Sequence, residues 1–237
     1  KQFFDEVERY RYEAHPFMHR LIGFDRAAGK SVLEVGCGLG TDLLQFARAG
    51  ARVVGVDLTP ASVVLVQRRF ALEMRAGNVL VADAENLPFS DGSYDTVYSF
   101  GVLHHTPHTQ KAIDEIYRVL KPGGEAIVML YHKMSLHVML GVPLYRLFGS
   151  HKRSHLGITA DWIRRYDGTE NPLGKAYSRR EARSMFSRFG QVDLVLCDPI
   201  RRRFPAAVNW MSQHLFARIL GFYMIIRAHK NRSPAAT

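Results

Sequence analysis

Val32-Leu33-Glu34-Val35-Gly36-Cys37-Gly38-Leu39-Gly40 is the stretch that decides the architecture. A short apolar run, Ser31 to Val35, ends in glycine and predicts a buried parallel strand. The glycines then predict a turn into a helix. Gly36 allows the tight turn, Gly38 lets a ligand approach the backbone, and Gly40 suits the helix start. From Thr41 to Ala49, apolar residues at 43, 44, 46 and 47 form a helical stripe that Gly50 ends.

Outward from this stretch the two patterns alternate. Arg52 to Val56 reads as a second strand, followed by Asp57, 21 residues after Gly36, where a carboxylate can accept hydrogen bonds from both ribose hydroxyls. Thr59-Pro60 reads as the cap and first position of a helix to about Arg75. Asn78 to Ala82 and Tyr94 to Phe100 read as the third and fourth strands, and Thr106-Pro107 as the start of a helix to Leu120. Lys121-Pro122-Gly123-Gly124 reads as a turn before a fifth strand, Glu125 to Tyr131. Residues 132–177 are looser in pattern and too short for their own core, so they read as an insertion. Ser178-Arg179-Arg180-Glu181 is a capping box opening a helix through Phe189, with strands expected at Gln191 to Leu196 and Phe222 to Arg227. Alternation of this kind predicts an α/β fold, a mostly parallel sheet with helices on both faces.

Composition bounds the function. The chain has 237 residues, 47% hydrophobic, enough for one sizeable core. The most apolar region, Ala126 to Phe148, is interrupted by His132, Lys133, His137 and Arg146, so no transmembrane helix is expected. No signal peptide is visible from Lys1 onward. Cys37 and Cys197 have no paired spacing, which predicts free thiols in a reducing cytoplasm, without zinc or disulfide framework. The histidines at 132, 137, 151 and 155 have no tight ligand spacing, and no metal site is expected. The net charge of +10 admits an acidic partner or a solvated basic surface. The second is favoured, since the late arginines (Arg164, Arg165, Arg179, Arg180, Arg183, Arg188, Arg201 to Arg203) lack an aromatic-and-basic RNA-binding motif, and no nucleic acid is expected.

The glycine spacing is G-x-G-x-G, not the G-x-G-x-x-G of dinucleotide sites. Glu34 lies two residues before Gly36, Asp83-Ala84 follow the third strand, and Leu87-Pro88-Phe89-Ser90-Asp91-Gly92-Ser93-Tyr94-Asp95 comes next. With Phe100 to Pro107 and Ile116 to Glu125, these motifs resemble the class I S-adenosylmethionine-dependent methyltransferases, in particular the group related to the ubiquinone/menaquinone C-methyltransferases. The likeness is strong over about 30–131 and weak over 178–228.

The resemblance implies a Rossmann-like fold with a seven-stranded sheet and an inserted helical cap after the fifth strand. It divides one methyltransferase domain, 1–237, into an N-terminal lid (1–29), a cofactor-binding core (30–131), a substrate cap (132–177) and a closing helix and strands (178–237). It implies S-adenosylmethionine as cofactor, leaving S-adenosylhomocysteine. Gly36, Cys37 and Gly38, followed by Gly40, would line its methionine part, and Glu34 would support the ammonium. Asp57 would hold the ribose, Leu58 would flank the adenine, Asp83 and Ala84 would read the adenine edge, and Phe100 and Gly101 would lie below the sulfonium.

His104 and His105, just past the fourth strand, are the candidate general bases, because imidazole titrates near neutrality. Tyr10, Tyr12 and His15 in the lid, and Tyr131 and His132 after the fifth strand, are candidate acceptor contacts, each weighed against ordinary core packing. The leading function is methyl transfer to oxygen, nitrogen or carbon of a small molecule. A lipid or quinone acceptor is the alternative, with peripheral membrane contact through apolar Leu215 to Ile226 and its flanking Arg218, Arg227 and Lys230, a segment that a helix and a core strand explain equally well. An RNA modifier and a non-catalytic binding protein are less favoured.

Overall fold

A computed structural model describes residues 1–148, 163, 173–197 and 216–232. The first strand, β1 (Ser31–Val35), lies inside a sheet, parallel to β2 (Arg52–Asp57) on one side and β4 (Tyr94–Phe100) on the other. β3 (Asn78–Val81) pairs parallel with β2, and β5 (Leu120–His132) parallel with β4. Beyond β5 come three strands late in sequence. β6 (Ala176–Tyr177) pairs only with the last two residues of β5, whereas β8 (Tyr223–His229) runs antiparallel between β5 and β7 (Gln191–Cys197). The order is β3-β2-β1-β4-β5-β8-β7, and the short β6 raises the expected seven strands to eight.

Burial on both faces explains the apolar runs. Val32, Ile127 and Met129 pack on one face with Phe24, Leu43, Phe46 and Phe70; Leu33, Val128 and Leu130 pack on the other with Ile113, Ile116 and Phe186. Alternate residues of each strand serve opposite layers. Each fully buried Leu or Ile of this kind contributes roughly 1.5–3 kcal/mol. Among the described residues the α-helices are α1 (Gln2–Ala14) and α2 (Met18–Ile22) ahead of β1, α3 (Thr41–Arg48), α4 (Pro60–Leu72), α5 (Thr109–Val119) and α6 (Leu136–Phe148), then two short ones, Arg179–Met185 and Ala217–Leu220.

Several local expectations shift. Thr59 sits at the N-cap of α4 with Pro60 behind it, but its hydroxyl bonds Asp57 and Ser62 instead of capping the helix. Thr106-Pro107 does not open α5. A 3-10 turn, Leu103–His105, comes first, the Thr106 hydroxyl donates to the Leu103 carbonyl, and the helix starts after His108, whose N–H donates to Glu85. Residues Lys121 to Gly124 are absorbed into β5, which begins at Leu120 opposite a register shift in β4. The Ser178 capping box forms with both of its bonds, yet its helix ends at Met185, short of Phe189. The candidate membrane segment is one helical turn and the buried start of β8; Leu215 itself lies outside the described residues. So do His151, His155, Arg164, Arg165, Arg201 to Arg203 and most of the insertion. No described helix is long and apolar enough to cross a membrane.

Candidate active site

The sheet order reverses between β1 and β4, and ligands of open α/β sheets bind at the carboxyl ends of the strands flanking such a point. The glycine turn is there. Gly36 has φ +76°, and a Cβ on it would lie 2.2 Å from Val102 Cγ2, so no other residue fits. Gly38, φ +52°, has nothing within 4 Å of where its Cβ would be: the backbone is open on the ligand side. Gly40 is the N-cap of α3, packed on Val66. Cys37 contributes backbone alone, because its thiol is buried over Gly55, where burial pushes its ionisation up.

Asp57 ends β2 with both oxygens engaged. Oδ2 accepts the Gly38 N–H at 2.9 Å, and Oδ1 accepts the Thr59 N–H at 3.0 Å and hydroxyl at 2.9 Å. The Ala82 N–H donates to the Asp57 carbonyl, which sets the strand ends bearing Asp57 and Asp83 side by side. Asp83 is exposed, with Oδ1 accepting the Glu85 N–H, and Ala84 is buried behind it. Leu58, next in sequence to Asp57, is an apolar side chain left 70% exposed.

Glu34 is 4% exposed, and its Oε2 has no hydrogen-bond partner. Burial, with Asp42 nearby, holds its carboxyl well above the usual range, and the Leu43 amide is the backbone group that favours its charge. An orphaned acceptor in a buried place is costly unless a ligand satisfies it. The orphaned oxygen, the open Gly38 and the bare Leu58 are features that could hold an adenosyl amino acid.

Sequence reasoning missed the residues around Glu34. Asp42, fully buried in the first turn of α3, accepts Arg11 Nε at 2.7 Å, Arg11 Nη2, the Tyr12 hydroxyl at 2.9 Å and the Tyr98 hydroxyl at 2.7 Å. These donors hold its carboxylate below the usual range despite burial. Arg11 lies 5.0 Å over the Phe100 ring. Tyr12 is therefore committed to this clamp, and Tyr10, on the same helix, is exposed. His15 packs against Phe100 and Tyr223, with ring centroids 6.0 and 5.3 Å away. Gly101, φ +80°, follows half-buried Phe100.

The paired histidines separate. His104 is fully buried, 4.0 Å from the Tyr131 ring and 4.1 Å from the His105 ring. Burial, then His105, pulls its ionisation well below the imidazole range. His105 is half-buried, and its Nδ1 bonds the Leu173 carbonyl. The same returning segment fixes the turn from outside: the Lys175 N–H donates to the His104 carbonyl, and its ammonium to the Thr106 and Pro107 carbonyls. Tyr131 is buried and stacked on Phe222 at 4.3 Å. His132 does not face the edge: it is buried, and its Nδ1 bonds the Gly221 carbonyl at 3.1 Å. Among the described residues no group of three or more His, Cys, Asp or Glu is placed to hold a metal.

Residues 33–128 match the family described as a methyltransferase domain. The chain is 36% identical over 99 residues to the sterol 4-C-methyltransferase strm-1 of Caenorhabditis elegans, covering 40% of this chain and 29% of that one. It is 39% identical over 102 residues to the demethylmenaquinone methyltransferase of Clavibacter sepedonicus, covering 43% and 41%. The chain thus spans less than half the length of either relative. Among solved structures, magnesium protoporphyrin IX methyltransferase from Synechocystis PCC 6803, with S-adenosylhomocysteine bound, superposes with a TM-score of 0.61 at 17% identity, covering 97% of this chain and 83% of that one. A doubly wound sheet with a glycine turn and strand-end carboxylates defines a nucleotide-type site. Residues 33–128, which hold the glycine turn, Asp57 and Asp83, are similar to a methyltransferase domain.

Proposed function

We propose that this protein transfers the methyl group of S-adenosylmethionine to a nucleophilic oxygen, nitrogen or carbon of a small-molecule acceptor. The observation that carries the reading is the turn after β1, with Gly38 open, Glu34 orphaned and Asp57 at the neighbouring strand end. The cofactor supplies an activated methyl on a sulfonium. The chain's own part is to hold and to exclude water. Asp57 takes the ribose hydroxyls, Leu58 covers the adenine, Asp83 with Ala84 reads its edge, Glu34 takes the ammonium, and Phe100 with Gly101 walls the sulfonium. His105 is the base. A carbonyl only accepts, so Nδ1 carries the hydrogen bonded to Leu173, and Nε2 is the nitrogen that would take a proton. That nitrogen would take the proton that an oxygen or nitrogen nucleophile loses on methylation.

Calorimetry with S-adenosylhomocysteine tests the cofactor half. The Asp57→Ala variant should bind roughly ten-fold or more weakly, as expected for losing hydrogen bonds to a charged group. Unchanged affinity removes the assignment of Asp57.

A narrower reading makes the acceptor an apolar lipid or quinone. Exposed apolar residues in and just before α6 favour it: Met134, Met139, Leu140 and Leu144 follow the carboxyl end of β5, the sheet edge where His105 lies. Sterol and demethylmenaquinone appear in the names of the two relatives. With methyl-labelled cofactor, a detergent-dispersed quinol or sterol should take up label faster than water-soluble phenols and amines. Transfer confined to the soluble acceptors rejects the narrower reading.

A further inference from the structure

The amino-acid end of the cofactor carries two charges, and Glu34 answers one of them. A carboxylate beside a glycine turn would ordinarily be received by the turn's own N–H groups at the head of the helix. Here most of the turn's own donors are spent. The Gly36 and Cys37 N–H groups both donate to the Val56 carbonyl, at 2.8 and 3.0 Å, and the Gly40 N–H donates to the Cys37 carbonyl at 2.7 Å. The Gly38 N–H serves Asp57. Four of the five amides from Gly36 to Gly40 are therefore committed before any ligand arrives, and the Leu43 amide serves Glu34.

The carboxylate needs a cation, and one stands beside Glu34. Arg11 is the cation whose field the Glu34 carboxyl feels. Its Nε and Nη2 lie on Asp42, whereas Nη1 makes no hydrogen bond to the described residues. The guanidinium covers Phe100, at the wall assigned to the sulfonium, and its side chain is still partly exposed. Asp42 is held in turn by Tyr12 and Tyr98, so the fork cannot swing. A carboxylate with this many fixed donors is a mount for the arginine that it binds.

We infer that Arg11, carried in on α1, receives the carboxylate of S-adenosylmethionine while Glu34 receives the ammonium, with Asp42, Tyr12 and Tyr98 positioning the guanidinium. The inference rests on the cofactor reading above and makes the N-terminal helix part of the cofactor site.

Three ligands separate the possibilities by calorimetry. S-adenosylhomocysteine has the whole amino-acid end, its decarboxylated analogue keeps only the amine, and 5′-methylthioadenosine has neither. Wild type should bind S-adenosylhomocysteine tightest. In Arg11→Ala its affinity should fall by about 10- to 100-fold, as for a lost charge-assisted bond. The decarboxylated analogue and 5′-methylthioadenosine should stay within about two-fold of wild type. Arg11→Ala alone strands the buried Asp42 charge, so the double variant Arg11→Met/Asp42→Asn, which removes both charges, is measured beside it and should show the same selective loss. Equal weakening of all three ligands in both variants, or no weakening of S-adenosylhomocysteine, overturns the assignment to Arg11 and leaves the cofactor reading standing. Failure of wild type to bind any of the three takes down both.

Discussion

Replacing His105 by alanine is expected to lower turnover with an oxygen or nitrogen acceptor by about 100-fold or more, the usual contribution of a positioned general base. Affinity for S-adenosylhomocysteine should hardly change, because His105 is assigned to the acceptor's proton and is anchored to the returning segment at Leu173. Its neighbour should behave differently. His104 is neutral in the folded protein, whereas in the unfolded chain it takes a proton near its ordinary value of 6.5. The unfolded state then binds more protons, so the stability that His104 contributes is complete above about pH 6.5 and is lost as the pH falls below it. His104→Phe should keep most turnover and show a flatter fall of the thermal midpoint between neutrality and mild acid. If His105→Ala turns over within a few-fold of wild type, the pair is structural, and Tyr131 becomes the next residue to test.

Asp42→Ala should destabilise the fold by about 3–5 kcal/mol, the range for breaking one partner out of a buried ion pair. The substitution leaves the Arg11 guanidinium without its counter-ion and the Tyr12 and Tyr98 hydroxyls without their acceptor, all between α1 and α3. Urea unfolding measures it directly. A loss under about 1 kcal/mol would place the clamp among surface ion pairs and deprive it of its structural role.

The parts of this molecule that were legible in sequence are those governed by neighbours along the chain. β1 and β4 have the predicted limits, because strands buried on both faces announce themselves as apolar runs. The glycine turn and the Ser178 capping box are likewise local. The Arg11–Asp42 clamp was not legible. Thirty-one positions separate its partners, and an aspartate in the first turn of a helix reads as an ordinary response to the helix dipole. Adjacent side chains point different ways, so a division between His104 and His105 was expected from sequence, but not which ring goes inside, since a 3-10 turn, not a helix cap, decides it. Thr106 and Pro107 have cap-like identities and were spent on that turn. His132 looked free beside Tyr131, but the late Gly221 carbonyl that binds it is supplied by a connection 89 residues away.

The short strand β6 has a bearing on how acceptor choice can diversify. The chain leaves the sheet at His132 and rejoins it at Ala176, beside the residues it left, since Tyr131 pairs with Ala176 and His132 with Tyr177. Both feet of the intervening stretch are thus stitched to one strand. Lengthening such a stretch two-fold costs only about 0.6 kcal/mol of closure entropy. Insertions there leave Asp57, Glu34 and the glycine turn outside the loop, so under the proposed function the stretch between the two feet is exchangeable as a cassette while the residues assigned to the cofactor are kept.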